Sequence, residues 1–250
     1  MIHNLWYGNN SLLNIGFTLK EAPFYVSTER SIELVETEGA DGDTIKDNGR
    51  YRNYPLDFEI NSIPFFTQGK TNEELFCELK DWLFAFGGDY KKLVTSTHPG
   101  YFRYALAMQP EKITTLPNGA LDTTIHFTVK PYFYSEKGTK RHVFSNSGTT
   151  FSAELFNPES YDSETYIKVI TEGAFKLTVG DISMKATECS GYLEFDSKIK
   201  HVHKGKTEMD DVVSGDYMPV FKKGLNTIVV ESQSSNDITG VEIIPRWRRL

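Results

Sequence analysis

Most of this chain reads as short β-prone runs between turn signals, and from Tyr51 to Ile60 apolar side chains recur at every second position, the period of a strand with one buried face. One segment breaks that rhythm. Thr71-Asn72-Glu73-Glu74 has the form of a capping box, with Thr at the N-cap and Glu three residues later. Leu75, Leu79, Trp82, Leu83 and Phe86 follow at spacings that fall on one helical face, and Gly87-Gly88 supplies a left-handed stop. Glu73 and Glu74 lie at the positive end of the helix dipole. The pattern predicts one helix here, with Cys77 roughly opposite its apolar stripe.

The remainder reads as strand and turn. The β-prone run Ser31 to Glu38 (SIELVETE) leads into Gly39-Ala40-Asp41-Gly42-Asp43, where Asp-Gly is a hairpin-turn signal. Asp47-Asn48-Gly49 is a second turn signal. From Tyr51 to Ile60 the pattern alternates, with Tyr54, Leu56, Phe58 and Ile60 on one face, and Pro55 confines its part of the strand to an edge or an end. Tyr101 to Met108 and Thr123 to Val129 are further strands, with Leu116-Pro117-Asn118-Gly119 as a connecting turn.

A boundary is expected after Pro131-Tyr132-Phe133-Tyr134. Ser135 to Arg141 (SEKGTKR) has linker composition and Ser145-Asn146-Ser147-Gly148 is turn-like, dividing the chain into domains 1–140 and 141–250. Beyond the boundary, strands are expected at Tyr166 to Thr171, Phe175 to Val179, Tyr192 to Phe195, Thr227 to Glu231 and Val241 to Ile244. The breaks fall at Gly173, Gly180, Gly191, Gly215, Gly224 and Gly240. Many short strands between turns, with no helix, argue for a β-sandwich. The fold class is mostly β, with a minor α component.

At 250 residues, 39% apolar and 13% aromatic, the chain can build packed cores. Its formal net charge of −7 disfavours binding to nucleic-acid phosphates. The local basic run Arg246-Trp247-Arg248-Arg249 reads as a solvated or interface-facing terminus. Cys77 and Cys189 give neither a disulfide framework nor a zinc spacing, which fits assembly in a reducing compartment. The opening Met-Ile-His-Asn-Leu-Trp lacks a basic region followed by an apolar run, so no secretory signal is expected. No apolar stretch reaches membrane-helix length.

No catalytic constellation stands out: there is no Gly-x-Ser-x-Gly, phosphate loop, dinucleotide fingerprint or His-Glu-x-x-His. His201-Val202-His203, with Asp210 and Asp211 nearby, places two imidazoles on one strand face and could hold a metal, but a polar strand face is the commoner arrangement. Asp41, Asp43 and Asp47 resemble alternating calcium-loop carboxylates without the bidentate Glu, and read as turn chemistry. Glu154, Glu159, Asp162 and Glu164 could be paired as glycosidase acids, but among 34 acidic residues such pairs arise by accident. The expectation is a protein without enzymatic activity, cofactor or metal.

The order of motifs supplies a function. Thr28 to Tyr54 runs TERSIELVETEGADGDTIKDNGRYRNY: an Arg before a strand, a Gly-x-Asp-Gly hairpin, then an Asn-Gly-Arg-Tyr segment. The capped helix ending in Asp81-Trp82-Leu83 follows, then Gly88-Asp89-Tyr90-Lys91-Lys92-Leu93 and Pro99-Gly100-Tyr101-Phe102-Arg103-Tyr104-Ala105. The later half carries Asn157-Pro158, Glu194-Phe195-Asp196-Ser197, Gly215-Asp216-Tyr217-Met218-Pro219, Lys223-Gly224-Leu225-Asn226-Thr227-Ile228 and Ile244-Pro245-Arg246-Trp247-Arg248. This succession resembles the distal tail proteins of siphophages that infect Gram-positive hosts. One departure is Gly-Ala-Asp-Gly where the family often has Gly-Arg-Asp-Gly.

That resemblance implies an N-terminal β-barrel-like domain with an extended hairpin and one helix, and a C-terminal galectin-like β-sandwich. It implies a virion tail-tip protein, assembled in the bacterial host cytoplasm, whose six copies close into a ring. The partners would be the other copies, the tail tube protein and the tail-associated protein, with receptor-binding proteins as a further class. DNA would pass through the channel without specific binding, and no membrane would be engaged. The hairpin residues Glu38, Asp41, Gly42, Asp43 and Asn48 would supply subunit contacts. The rival reading is a carbohydrate-binding module for host-surface glycans, using exposed aromatics such as Tyr161, Tyr166 or Tyr217. A glycoside hydrolase is a second rival.

Overall fold

The computed structural model describes residues 3–22, 30–36, 43–63, 69–85, 87–215 and 218–250, with backbone alone at 31–36 and 43–50. The chain divides into two compact units, Met1–Phe133 with Leu250, and Tyr134–Arg249. Both are mostly β, as the succession of strand and turn signals predicts.

In the first unit the strands are β1 (Leu5–Tyr7), β2 (Asn10–Ser11), β3 (Phe17–Leu19), β4 (Arg30–Glu36), β5 (Asp43–Tyr51) and β6 (Tyr54–Ser62). After the helix α1 (Asn72–Phe84) come β7 (Lys91–Thr95), β8 (Tyr101–Ala107), β9 (Thr114–Thr115) and β10 (Leu121–Val129). The main sheet runs β2-β1-β7-β8-β10-β6-β3, all antiparallel. It curls until its ends meet: His3, just before β1, bridges Leu19 of β3, and Leu19 N–H donates to His3 O at 3.2 Å. The barrel-like expectation is met, with a seam held by that bridge.

The interior face follows from period two. On β6, Tyr54, Leu56, Phe58 and Ile60 are buried while Pro55, Asp57 and Glu59 are exposed. Pro55 occupies the start of the strand, beyond the reach of β3, which pairs only Ile60–Ser62; its missing N–H breaks no ladder there. Helix α1 covers the same core with Leu75, Leu79, Trp82 and Leu83. Its capping box is formed: Thr71 Oγ1 accepts from Glu74 N–H, and Thr71 N–H donates to Glu74 Oε2 at 2.7 Å. Gly87 takes φ +64°, the left-handed stop. Cys77 is exposed. Tyr7 packs on Trp82 and Phe127 with ring centroids 5.9 and 5.1 Å away, and its hydroxyl accepts from Ala107 N–H, satisfying the polar tip inside the core.

The second unit follows β11 (Phe133–Ser135). It contains β12 (His142–Gly148), β13 (Thr150–Asn157), β14 (Tyr166–Glu172), β15 (Phe175–Val179), β16 (Ile182–Ala186), β17 (Ser190–Asp196) and β18 (His201–Lys204). The rest are β19 (Thr207–Glu208), β20 (Val213–Ser214), β21 (Gly224–Ser232), β22 (Ile238–Ile244) and β23 (Arg248–Arg249). One sheet has the order β12-β22-β14-β17-β18-β19 and the other β13-β21-β15-β16-β20. Ile167, Val169, Leu193 and Val241 of the first share one buried cluster with Phe175, Leu177, Ile228 and Val230 of the second. A core between two antiparallel sheets is a β-sandwich.

Several punctuation signals act differently from the expectation. Asp47-Asn48-Gly49 makes no turn; it lies inside β5, where the register with β4 slips between Arg30 and Ile32, so the Asn-Gly pair serves a bulge. Ser145–Gly148 is likewise an irregular part of β12 against β22. Gly191, Gly224 and Gly240 sit within strands. The linker-like stretch packs closely: a Cβ on Gly138 would meet Trp247 N at 2.6 Å, and Arg246 N–H donates to Gly138 O at 2.7 Å. The basic tail is therefore folded onto the sandwich and is no solvated terminus.

Candidate assembly site

Among the described residues, the strand pair flanking the Asp-Gly signal is the one ladder that stands apart from the larger sheets. Strands β4 and β5 pair antiparallel with each other, from Glu36↔Asp43 to Arg30↔Tyr51, and among the described residues neither joins another strand. Nine residues of β5 give roughly 30 Å of strand. A two-stranded ribbon has no third strand to protect its outer backbone groups, and such hairpins are marginal alone. At its base Tyr51 stacks edge-on against Tyr132, with centroids 6.0 Å apart.

Of the five residues expected to make subunit contacts, Glu38, Asp41 and Gly42 lie outside the described residues. Asp43 opens β5 opposite Glu36, and Asn48 lies in the bulged stretch of the same strand. Asp47 also falls in β5, so the described carboxylates of the supposed calcium loop belong to a strand.

The other candidate chemistries resolve into local pairs. His201 and His203 do share a face of β18, with Val202 buried between them. Each faces its own carboxylate: His201 Nδ1 is 2.6 Å from Asp210 Oδ2, and His203 Nδ1 is 3.2 Å from Glu194 Oε2. Among the described residues no group of three or more His, Cys, Asp or Glu is placed to hold a metal. Of the supposed glycosidase acids, Glu164 pairs with Arg248 Nη1 at 2.9 Å, and Asp162 offers its carbonyl to Arg248 Nε at 2.7 Å. Tyr166, proposed as a sugar platform, is buried, and its hydroxyl donates to Glu194 at 2.5 Å. Burial, then that bond to a carboxylate, pushes the Tyr166 phenol far above its ordinary range. Tyr161 bridges Arg248, and Tyr217 lies outside the described residues.

Sequence reasoning passed over Arg103. It shares the inward register of β8 with Ala105 and Ala107, and a cation in phase with buried alanines is a signal that it points inward. No helix among the described residues is long and apolar enough to cross a membrane.

No family model and no curated protein sequence matches the chain. In structure it is similar to the SPP1 Dit (gp 19.1) protein, described as a paradigm of the hub adsorption apparatus in phages that infect Gram-positive bacteria. The superposition has a TM-score of 0.69 and covers 97% of this chain and 98% of that one, at 13% identity. The chain thus has the fold of a distal tail protein over nearly its whole length, as the motif order implies.

Proposed function

We propose that this protein is a structural component of a phage tail tip: a distal tail protein whose six copies close into a ring between the tail tube and the tail-associated protein. It has no turnover to perform, and its mechanism is assembly. The supporting observation is the β4–β5 ribbon, attached to a fold like that of the SPP1 protein. A ring needs a heterologous contact, in which two different surfaces of each subunit match. An extended ribbon with two outer edges is suited to one half of such a contact, because backbone pairing with a neighbour satisfies its N–H and C=O groups. Glu38, Asp41, Gly42, Asp43 and Asn48 are the residues assigned to that contact. The net charge of −7 suits a ring whose channel lets DNA pass without gripping it.

Light scattering after size exclusion, with negative-stain images of the same fraction, tests the reading. The expected result is a six-fold ring with a central hole, formed by the chain alone or on mixing with the tail tube protein. A monomer that stays monomeric in that mixture would overturn the hub assignment, and binding to a glycan array by the same monomer would replace it with the carbohydrate module.

A further inference from the structure

Among the described residues, Arg103 is the one buried arginine or lysine, at 6% exposure. Its guanidinium stacks 3.6 Å from the centroid of the Phe133 ring and lies 5.4 Å from that of Tyr54. Among the described residues, ion pairs are formed by Lys20, Lys70, Arg141, Arg246 and Arg248, and none by Arg103. Its Nε is enclosed without a hydrogen-bond partner. The residue lines a cleft with about 20 Å³ of free space, walled by Leu56, Phe58, Leu93, Tyr101 and Phe133 and edged by Thr95 and His98. That is room for one small group.

A cation held in a largely apolar cleft, with no carboxylate paired to it among the described residues, is an expensive arrangement. Stacking on Phe133 offsets part of the cost. Burial lowers the Arg103 pKa to about 10, which still leaves the side chain charged at neutral pH. A lone water would accept a hydrogen bond but leave the charge uncompensated. A carboxylate supplies both, and its two oxygens match the planar fork of a guanidinium.

We propose that the Arg103 cleft is a carboxylate-binding site, which takes one planar carboxylate head on the guanidinium. The head comes either from a free small carboxylate or from an acidic side chain of a second copy of this chain, which carries 34 Asp and Glu against 27 Lys and Arg.

The test uses the full chain and sodium formate, against sodium chloride at the same ionic strength. Three readouts are followed: the Arg103 Nε–H resonance, the thermal midpoint, and the mass by light scattering. The expected result is a saturable shift of the Nε–H resonance with formate and not with chloride. In Arg103→Met the midpoint should lose its formate response, and Arg103→Lys should keep less than half of it, because an ammonium lacks the fork. A rise in midpoint at constant mass identifies a free carboxylate as the occupant; a fall in mass identifies an acid of a second copy being displaced. An Nε–H signal equally indifferent to both salts, with mass unchanged, would overturn the site. So would an equal response to chloride, which marks an adventitious anion only. An Arg103→Met chain that responds to formate like the parent would place the binding elsewhere. The resonance is read on the parent chain, so the test survives a variant that fails to fold.

Discussion

Asp196 and Arg246, 50 residues apart, meet in a two-point ion pair: Nη1 on Oδ1 at 2.5 Å and Nη2 on Oδ2 at 2.9 Å. Asp196 ends β17 and Arg246 opens the tail after β22, so the pair ties the tail to the six-stranded sheet. Arg246 has φ +55°, a left-handed conformation rarely adopted outside glycine, and its N–H is held by Gly138 O. The ion pair therefore stabilises a strained backbone as well as two charges.

Replacing Asp196 by Asn should destabilise the second unit by about 2 kcal/mol, the range for hydrogen bonds to charged groups. Fully buried pairs lose more; here 14% and 20% of the two side chains remain exposed. Burial raises the Asp196 pKa, but the bond and charge of Arg246 and the Lys198 N–H lower it further, so the net value lies below the ordinary one. A depressed folded pKa gives stability that is present above the unfolded value and lost as pH falls through the folded one. Urea unfolding should show that acid-side loss in the parent and a flatter profile in Asp196→Asn. Parallel profiles would detach the pair from acid stability.

Gly138 should tolerate no side chain. Its φ is not the reason; the added Cβ would lie 2.6 Å from Trp247 N and 2.8 Å from Trp247 Cβ, and backbone cannot step aside as a flexible side chain could. Gly138→Ala should cost about 1–3 kcal/mol, the range for overpacking. Urea unfolding reports it, with an earlier midpoint expected. A midpoint equal to that of the parent would mean the tail lifts off at little cost.

The helix and the inward face of β6 were legible because each is a local pattern whose period matches its burial. The capping box at Thr71 is satisfied entirely within four residues. What was not legible depends on partners distant in sequence. Glycine was read as a break, yet Gly240 lies within β22, where a Cβ would meet Phe144 O of the neighbouring strand at 3.3 Å; close approach of backbone, invisible in one segment, places it there. The basic tail looked solvated because Asp196 and Glu164, its counter-charges, lie elsewhere in the chain. Arg103 was legible in register and illegible in consequence, since the cleft around it is assembled from several strands.

The His201–Asp210 contact should be visible in solution. The hydrogen bond that His201 donates to the Asp210 carboxylate comes first among the causes that hold its imidazole above the ordinary pKa, with the Asp210 and Glu208 charges adding to it. A raised folded pKa gives a contribution that is present below the unfolded value and lost as pH rises through the folded one. An NMR titration should place His201 above an ordinary histidine, and Asp210→Asn should bring it back. An unmoved His201 in that variant would show that the contact does not persist in water.

The hairpin prediction rests on what Asp41-Gly42 does for strand pairing. Glu36 pairs with Asp43, so residues 37–42 join the two strands, and in such connections Asp and Gly accept φ > 0 where a β-branched residue resists it. The double change Asp41→Ala with Gly42→Val should leave β4 and β5 poorly paired, so that neither edge is presented in register. The measured mass should shift from the ring toward the monomer. Circular dichroism and the thermal midpoint should change little, because Leu75, Leu79 and Trp82 of α1 and the β6 face form the first core without the turn. A ring of unchanged mass would remove the hairpin tip from the interface while leaving the ring itself standing. Loss of the ring together with loss of the fold would point to misfolding, and the milder Asp41→Asn, which keeps the turn chemistry, should then restore both.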